Sequence, residues 1–487
     1  MIHSFMRCLR TQHLPRMQVR CFSRTTIAHG FTSDFENATS AVDGSHPFEK
    51  SADVLRGIIK TDLVKATDLR DDPAKFFEAH RILGRHALEH GPGFWIRFTV
   101  HYNLFGGTVL AVGSPEQVQQ LAEIQKNGEL GCFSLTEKEA GVQSGLIVQT
   151  TIEWNDEKQV FILNTPNVGA RKNWISQGFV ADKTVVLADL SVKGKSYGPH
   201  AFLMDFRRDG ELVAGIEIDD MGKKTVGNDL DNAWIHFDNV ELPKSAMLSK
   251  YADVIDGEYK VKVEGVRPFD MIGQRLYTGR VAVAQGALEY RRQLFKKTKE
   301  YTDSKVCPGN VTLTSIPQLD SLYEENQSEL AELDDFVKET ETALTKCLVE
   351  EVPPSSDLVD AIATCKIMAV DQSINMCFRL KQEVGSYALM GDSGFQNMDF
   401  LNCCKFAEGD SRILKLKLAR DCLKAFTKGE KTGEEERALC GEIAFAMADD
   451  MKTNGADKIE AFNNEWVRVY QLADAVMERV KRERSFV

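Results

Sequence analysis

Long apolar runs and concentrated basic stretches are what the sequence lacks most clearly. No run of about eighteen uncharged apolar residues occurs, so a membrane-spanning helix is not expected. The formal net charge of −12 argues against nucleic acid as a partner, because neutralising phosphates requires a concentrated basic surface. With 487 residues and 43% hydrophobic content, the chain has enough apolar material for a globular protein of two or three domains.

Familiar cysteine and glycine motifs are also missing. The 11 cysteines show no C-x-x-C spacing and no even framework, which indicates buried thiols in a reducing compartment. No G-x-G-x-x-G follows a predicted strand, so a Rossmann site is not predicted. One short metal-like pattern is present, H-x-x-E-H, at His86, Glu89 and His90. It keeps a zinc hydrolase open as an alternative, and a non-catalytic helical assembly protein is another.

The first 33 residues differ in composition from the rest of the chain. They contain no Asp or Glu, several Ser and Thr, and arginines at positions 7, 10, 16, 20 and 24. This composition is typical of a mitochondrial transit peptide, and Arg20 precedes Ser23 at the spacing of a processing site. We therefore treat residues 1–33 as a leader and expect the mitochondrial matrix, with a basic disordered tail as the alternative.

Hydrophobic periodicity divides the remaining chain into three regions. Residues 46–130 repeat apolar positions three or four apart, which predicts an N-terminal helical domain. Residues 131–250 contain short β-branched and aromatic runs between Gly, Asn and Asp turns, which predicts a middle antiparallel β-domain. Long amphipathic segments over 265–487 predict a C-terminal helical bundle. The expected fold class is α+β.

Two stretches of the β-region and one helix start offer candidate site residues. In "KNWISQGF", Trp174 stands two residues before Ser176, so an extended strand would place both on one face, where a planar ligand could stack. A half-buried structural tryptophan is the alternative. In "KFAEGDSRILKLKLARD", Glu408 and Gly409 precede a helix start with a capping residue at Asp410 or Ser411. A carboxylate in an apolar setting there could act as a base, because desolvation raises its pKa.

These stretches together resemble a known superfamily. "CFSLTEKEAG", "KNWIS", "RRQLF" and "KFAEGDSRILKLKLARD" are similar, in this order and spacing, to motifs of acyl-CoA dehydrogenases and acyl-CoA oxidases. The resemblance covers about residues 47–426. "GKSYGPHAFLMDFR" and the stretch "MGKKTVGNDLDNAWIHFDNVELPKSAMLSKYADVIDGEYK" resemble the oxidase branch most. One segment departs from the pattern: "VGSYALMGDSGF" stands where the family commonly has paired glycines.

The resemblance implies FAD bound between the β-domain and the helical bundle, and it assigns roles to particular residues. Glu408 matches the catalytic base, and Arg292 matches an arginine that reaches the FAD pyrophosphate of a neighbouring subunit. Gly409 and Ser144 are the candidates for substrate contact. The residues that match the flavin-binding positions are Phe133, Leu135, Thr136, Gly141, Trp174 and Ser176.

The function that the resemblance implies is α,β-desaturation of acyl-CoA thioesters in fatty acid β-oxidation. We expect an acyl-CoA oxidase-like enzyme that forms a homodimer or a dimer of dimers and binds acyl-CoA as substrate. The alternative is a mitochondrial acyl-CoA dehydrogenase. Molecular oxygen would accept the electrons in the first case and an electron-transfer flavoprotein in the second. The peroxisome is the alternative location.

Overall fold

A computed structural model describes residues 30–141, 147–266, 268–430 and 432–486. Its N-terminal region is helical, as predicted. The elements are α1 (Phe31–Ala38), α2 (Phe48–Ile59), α3 (Asp68–Asp71), α4 (Pro73–His90), α5 (Gly93–Thr99), a π-helical turn (Val100–Gly106), α6 (Gly107–Val112) and α7 (Pro115–Asn127). Capping side chains explain where two of these helices begin. The Asp72 side chain accepts from Lys75 N at α4, and a capping box joins Ser114 to Gln117 at α7.

Helix α1 begins within the segment that we treat as a leader. Its Phe31 and Phe35 are buried, and the Phe35 ring meets that of Phe98 edge-on at 5.7 Å between centroids. Residues 31–33 therefore form part of the folded N-terminal region. Residues 1–29 lie outside the described part of the chain, so the leader stays a prediction.

The middle region is a β-domain that lies between two helical regions, as the predicted fold class requires. Its strands are β1 (Gly131–Ser134), β2 (Thr151–Asn155), β3 (Val160–Asn164), β4 (Lys172–Ser176), β5 (Lys183–Val192), β6 (Lys195–Asp205), β7 (Arg207–Arg208), β8 (Glu211–Leu212), β9 (Ile216–Asp220), β10 (Asn232–Phe237), β11 (Val240–Pro243), β12 (Ala252–Ile255) and β13 (Glu258–Val261). The main sheet runs β1-β5-β2-β3-β11, with β6 also on β5. A second sheet runs β4-β10-β9.

The main sheet differs from the predicted antiparallel domain in one respect. Strands β1 and β2 both pair with β5 in parallel, while β3, β6 and β11 pair antiparallel with their neighbours. Apolar alternation identifies a strand and its buried face, but it carries no information about the direction of the partner. The sheet is therefore mixed.

The C-terminal region is the predicted helical bundle. A short ribbon, β14 (Val306–Cys307) and β15 (Val311–Thr312), interrupts it. The helices are α8 (Pro268–Ser304), α9 (Pro317–Val349), α10 (Ser356–Glu383), α11 (Asp399–Phe406), α12 (Ser411–Thr427), α13 (Glu434–Thr453), α14 (Lys458–Asn464) and α15 (Trp466–Glu483). The last three helices follow one another closely, and Asp457 caps the start of α14 by accepting from Ile459 N and Glu460 N.

Helix α8 lies at the centre of the molecule and crosses α4 at close range. A Cβ added at Gly84 would lie 3.0 Å from Gly286 Cα, so these two glycines allow the backbones to approach. Helix α8 also packs against α9, α10 and β6. Among the described residues, no helix is both long and apolar enough to cross a membrane.

Candidate active site

Glu408 lies in the four-residue turn, residues 407–410, between α11 and α12. It has a φ of 57° and the next residue, Gly409, has a φ of 96°, so the chain makes two successive left-handed steps. The predicted cap follows at once, since the Asp410 side chain accepts from Arg412 N at 2.7 Å. Glycine adopts this conformation at little cost, whereas the glutamate must be held in it by its surroundings.

Two cations from other helices hold this turn. Arg280 on α8 donates from Nε to the Glu408 carbonyl at 3.0 Å. Lys366 on α10 donates from Nζ to the carbonyls of Lys405 at 2.7 Å and Gly409 at 2.9 Å, and it lies 3.1 Å from Ser411 Oγ. The carbonyl oxygens on both sides of Glu408, and its own, are thus fixed from within the chain.

The carboxylate of Glu408 fits against a glycine of α8. A Cβ added at Gly279 would lie only 2.3 Å from Glu408 Cδ. The residue as a whole is half-buried, but its Oε2 atom is shielded from solvent and has no hydrogen-bond partner among the described residues. Burial raises the pKa of Glu408 to about 7, against the lowering effects of Arg280, Lys366 and a hydrogen bond with the Asn103 side chain. This carboxyl group is therefore poised to exchange a proton near neutral pH.

The π-helical turn joins the carboxylate to the β-domain. Its Asn103 is fully buried and reaches Glu408, while the neighbouring His101 accepts from Gly131 N through Nδ1 at 3.1 Å. The Phe105 ring fills the space beside Gly131, where an added Cβ would lie 2.1 Å away. π-Helical turns are rare and occur frequently at functional sites. Here one such turn contacts both the start of β1 and the Glu408 carboxylate.

The loop after β1 is locked to β4. Phe133 is buried in β1, Leu135 and Thr136 are half-buried, and Gly141 at the loop's far end is exposed. Asn173 N donates to the Thr136 carbonyl at 2.9 Å. The predicted flavin-loop residues Leu135 and Thr136 are thus brought beside the strand that contains Trp174.

A buried ion pair reinforces this lock. Lys172 Nζ donates to Glu137 Oε1 at 2.8 Å, and neither side chain is exposed to solvent. Lys172 also donates to the carbonyls of Leu135 at 3.2 Å and Leu187 at 2.7 Å. Burial lowers the pKa of Lys172 to about 8, while Glu137 raises it. The ion pair therefore holds the loop after β1 against strand β4.

Trp174 is 56% exposed, which is unusual for a large aromatic side chain. Its φ of 58° and the register shift between β4 and β10 show that β4 is not regularly extended there, contrary to our prediction. Burial still alternates, since Ile175 is buried between Trp174 and a half-buried Ser176. Ser176 Oγ accepts from Asn232 Nδ2 at 3.1 Å. The indole is thus exposed, while the hydroxyl group is half-buried and held by Asn232.

The loop after β9 connects the tryptophan to the helix that precedes Glu408. Trp174 N contacts Met221 Sδ at 3.2 Å. Lys224, three residues on, lowers the pKa of Cys403 in α11, although burial raises that pKa overall to about 11. The loop after β9 therefore contacts Trp174 and carries a charge that acts on α11, the helix before Glu408.

The remaining candidates lie elsewhere or outside the described residues. Arg292 is 13 positions after Gly279 on α8, about 20 Å along the helix. Its guanidinium group is paired within this chain, with Glu289 at 2.7 Å and Asp334 at 2.5 Å. Ser144 lies outside the described residues, so its role stays a prediction.

The zinc alternative finds no support in the described chain. The rings of His86 and His90 lie edge-on with centroids 6.4 Å apart. Within residues 30–141, 147–266, 268–430 and 432–486, no group of three or more His, Cys, Asp or Glu side chains is arranged to hold a metal ion.

Sequence reasoning missed four residues that shape this site: Asn103, Gly279, Arg280 and Lys366. Of these four, only Lys366 could have been recognised in the sequence as an unusual buried residue. It interrupts the apolar run "ATCKIMAV", and a lysine on the buried face of a helix requires polar partners.

Comparison with known proteins identifies relatives of the whole arrangement. No family model matches the chain. Among curated proteins, it is 31% identical to acyl-coenzyme A oxidase 2 of Yarrowia lipolytica over 383 residues, which is 70% of this chain and 52% of that protein. It is 30% identical over 276 residues to "Acyl-coenzyme A oxidase 2, peroxisomal" of Arabidopsis thaliana, covering 52% of this chain and 39% of the relative.

Solved structures show the same fold. Acyl-CoA oxidase 1 of Yarrowia lipolytica superposes with a TM-score of 0.73 at 20% identity, over 93% of this chain and 75% of the other. Acyl-CoA oxidase-2 of Caenorhabditis elegans, bound with FAD, ascaroside-CoA and ATP, gives 0.71 at 17% identity, over 92% and 74%. Butyryl-CoA dehydrogenase of Megasphaera elsdenii gives 0.64 at 19% identity, over 81% and 97%.

The chain belongs to the superfamily of acyl-CoA dehydrogenases and acyl-CoA oxidases. The helical, β and helical regions match the acyl-CoA oxidase fold, which confirms the expected fold class. The chain spans about half the length of the curated acyl-CoA oxidases that it matches, 52% of one and 56% of another.

Proposed function

We propose that this chain is a flavin-dependent enzyme that desaturates acyl-CoA thioesters between their α and β carbons, as in fatty acid β-oxidation. The observation that carries the proposal is the Glu408 carboxylate, buried beside Gly279 with a pKa raised to about 7. Removing a proton next to a thioester carbonyl requires a base of this kind, in a position where water is excluded. The resemblance to acyl-CoA oxidases supplies the substrate class.

The residues present fit FAD as the cofactor. An indole that is largely exposed gives a planar cofactor a surface for stacking, and the half-buried Ser176 is only two residues away on the same strand. The loop that contains Leu135 and Thr136 is fixed beside the indole through Asn173. FAD bound here would accept the β-hydrogen as hydride. The C. elegans relative named above binds FAD.

The chain's own part in the reaction is to orient the substrate and remove its α-proton. Glu408 would receive that proton on the carboxylate that faces Gly279. Arg280 and Lys366 hold the backbone of the turn, so the carboxylate keeps one position as the proton moves. Gly409 has no side chain to obstruct an acyl chain, and we propose it for substrate contact together with Ser144.

The names of the relatives support our proposals for the electron acceptor and the location. The curated relatives reported above are named oxidases, which favours molecular oxygen over an electron-transfer flavoprotein. One of them is named peroxisomal, which favours the peroxisome over the mitochondrial matrix that we expected from the leader. Only the composition of residues 1–33 supports the mitochondrial location. We further propose a homodimer in which Arg292 approaches the cofactor of the other subunit.

The spectrum of the purified protein tests the proposal. A folded sample supplied with FAD is expected to show flavin absorption bands, and acyl-CoA added without oxygen is expected to bleach them. The Glu408→Gln variant should retain the bands and bleach at least about 100-fold more slowly, because a positioned general base contributes about 10²–10⁴ in rate.

Glu153→Gln is the matched control, since Glu153 is exposed on β2. Equal bleaching by Glu408→Gln and wild type would show that another group is the base. Absence of flavin bands in a folded sample would remove the proposal altogether. Comparing re-oxidation by air with re-oxidation by an electron-transfer flavoprotein then identifies the acceptor.

A further inference from the structure

Lys366 occupies an unusual position for a charged residue. It lies in the middle of α10, between the buried residues Cys365 and Ile367, and its side chain has no exposure to solvent. All three contacts of its Nζ are to the turn that carries Glu408: the Lys405 carbonyl, the Gly409 carbonyl and Ser411 Oγ. An ammonium group has three N–H donors, so this set of acceptors satisfies it completely.

Lys366 has no acidic side chain as a direct partner. In the part of the chain that the structure describes, no carboxylate oxygen lies within 4.0 Å of its Nζ, and the nearby Asp371 is instead paired with Lys405 at 2.5 Å. The charged or titratable groups that act on it from the surrounding elements are Arg280, Asp371, Cys404, Glu408 and Asp410. A lysine that served only to balance charge would face a carboxylate directly. The ammonium group of Lys366 instead contacts two backbone carbonyl oxygens and one hydroxyl group.

The backbone that it contacts is strained at the functional residue. Glu408 adopts φ of 57°, which a non-glycine residue keeps only where the surrounding structure determines it. Lys366 holds the carbonyl three residues before Glu408 and the carbonyl directly after it. The Arg280 contact holds the carbonyl between them. Without Lys366, only one of these three anchors would remain.

We propose that Lys366 is a positioning residue that fixes the Lys405–Ser411 turn so that the Glu408 carboxylate faces Gly279. This inference rests on the proposed function, in which Glu408 is the base. Lysine suits the task because its three donors point in different directions toward three acceptors, whereas the planar fork of arginine presents its donors in one plane. Lys366 acts through Glu408 and does not itself touch the substrate.

Proton removal can be measured separately from hydride transfer. The probe is a 3-thia-acyl-CoA, whose sulfur at position 3 has no hydride to give, so that loss of its α-proton signal in D₂O reports the base alone. We would compare the FAD-loaded wild type with Lys366→Met, Lys366→Arg and Lys415→Met. Lys415 is the matched control, because it also neighbours Asp371 but pairs with Asp474 at 2.9 Å. Hydrogen–deuterium exchange of the peptide that covers residues 405–411 provides a readout that does not depend on activity.

We expect Lys366→Met to slow α-proton exchange at least about tenfold and to move its pH midpoint upward, since the Lys366 charge lowers the pKa of Glu408. Lys366→Arg keeps a positive charge, so its midpoint should not move upward, while it should exchange the α-proton more slowly than wild type. Amides of the 405–411 peptide should exchange about tenfold faster in Lys366→Met than in wild type. In Lys415→Met their exchange rate should be unchanged. A merely structural lysine would not move the midpoint.

The inference would be overturned if Lys366→Met exchanged the α-proton at the wild-type rate and with the wild-type pH midpoint. Should that variant fail to fold, Lys366→Arg and Ser411→Ala decide the question, and wild-type behaviour in both would be equally fatal. A wild type that is folded and FAD-loaded but removes no α-proton would instead contradict the proposed function. In that case the amide exchange of the 405–411 peptide still tests whether Lys366 holds the turn.

Discussion

The candidate site has two halves: a cofactor half, made of the loop after β1 and strand β4, and a Glu408 half, the turn between α11 and α12. Each half is fixed by a fully buried lysine, but the two lysines differ in the groups that they contact. Lys172 bonds to two backbone carbonyls and to the buried carboxylate of Glu137. Lys366 bonds to two backbone carbonyls and a hydroxyl group. Burial lowers both pKa values, to about 8 for Lys172 and to about 7 for Lys366. The lysine with a carboxylate partner keeps its charge more firmly.

This difference separates stability from positioning. Removing Lys172 would leave the buried Glu137 carboxylate without a countercharge, although Gln149 N and Thr150 would still donate hydrogen bonds to it, and breaking a buried ion pair in this way is costly. Removing Lys366 would leave only neutral acceptors unsatisfied, at a smaller cost. We therefore expect the cofactor half to respond to mutation chiefly in stability, and the Glu408 half chiefly in rate.

Lys172→Met is expected to produce the largest effect. It should lower the free energy of unfolding by about 3 kcal/mol, because it breaks a buried ion pair and leaves the Glu137 carboxylate without a countercharge. Chemical denaturation measures this directly. The double variant Lys172→Met/Glu137→Met removes both charges and should recover part of the loss, because Gln149 N and Thr150 then lose their acceptor. A single variant as stable as wild type would show that the two halves are not distinguished in this way.

Gly279→Ala tests the opposite behaviour in the Glu408 half. The added methyl group would lie 2.3 Å from Glu408 Cδ and must displace the carboxylate by more than 1 Å. We expect bleaching by acyl-CoA to slow about 100-fold, since a misplacement of about 1 Å can cost that much. Stability should be unchanged or slightly higher, because alanine is favoured over glycine within a helix by about 1 kcal/mol.

Gly441→Ala in α13 is the control for that helix effect, because an added Cβ there has nothing within 4 Å. It should change neither the bleaching rate nor the flavin content. A Gly279→Ala protein that bleaches at the wild-type rate would place the working carboxylate elsewhere.

The contrast also shows what could be predicted from sequence. The order of helical, β and helical regions was readable because apolar periodicity changes at Gly131 and again after Pro268. Glu408 could be predicted because the motif that identifies it consists of its neighbours along the chain. The relation of Gly279 and Lys366 to Glu408 could not be predicted, since they are 129 and 42 positions away along the chain and reach Glu408 only through packing of α8 and α10. The π-helical turn was missed for a related reason, as its extra residue leaves no mark in the apolar pattern.

The pH dependence of bleaching probes the electrostatics of the Glu408 half. The group works as a base only when deprotonated, so the rate should rise with pH through its pKa of about 7 and level off above it. At pH 6 the rate should be about tenfold below the plateau. Lys366 titrates in the same range, so the transition should be broader than for one proton. A flat rate between pH 5.5 and 8 in a stable, flavin-loaded sample would contradict a base with this pKa.

Trp174→Ala is expected to have the smallest effect and to be confined to the cofactor half. Its indole is exposed and contributes little to the core, so unfolding should change little. Loss of stacking should weaken FAD binding about fivefold, or about 1 kcal/mol. Trp466 is the matched control, because it is 58% exposed on α15, far along the chain from β4. Titration of FAD into the two apo-variants should show weaker binding for Trp174→Ala alone. If both variants bound FAD as wild type does, the exposed indole at 174 would not be the surface on which the cofactor stacks, and the two halves would not share a flavin.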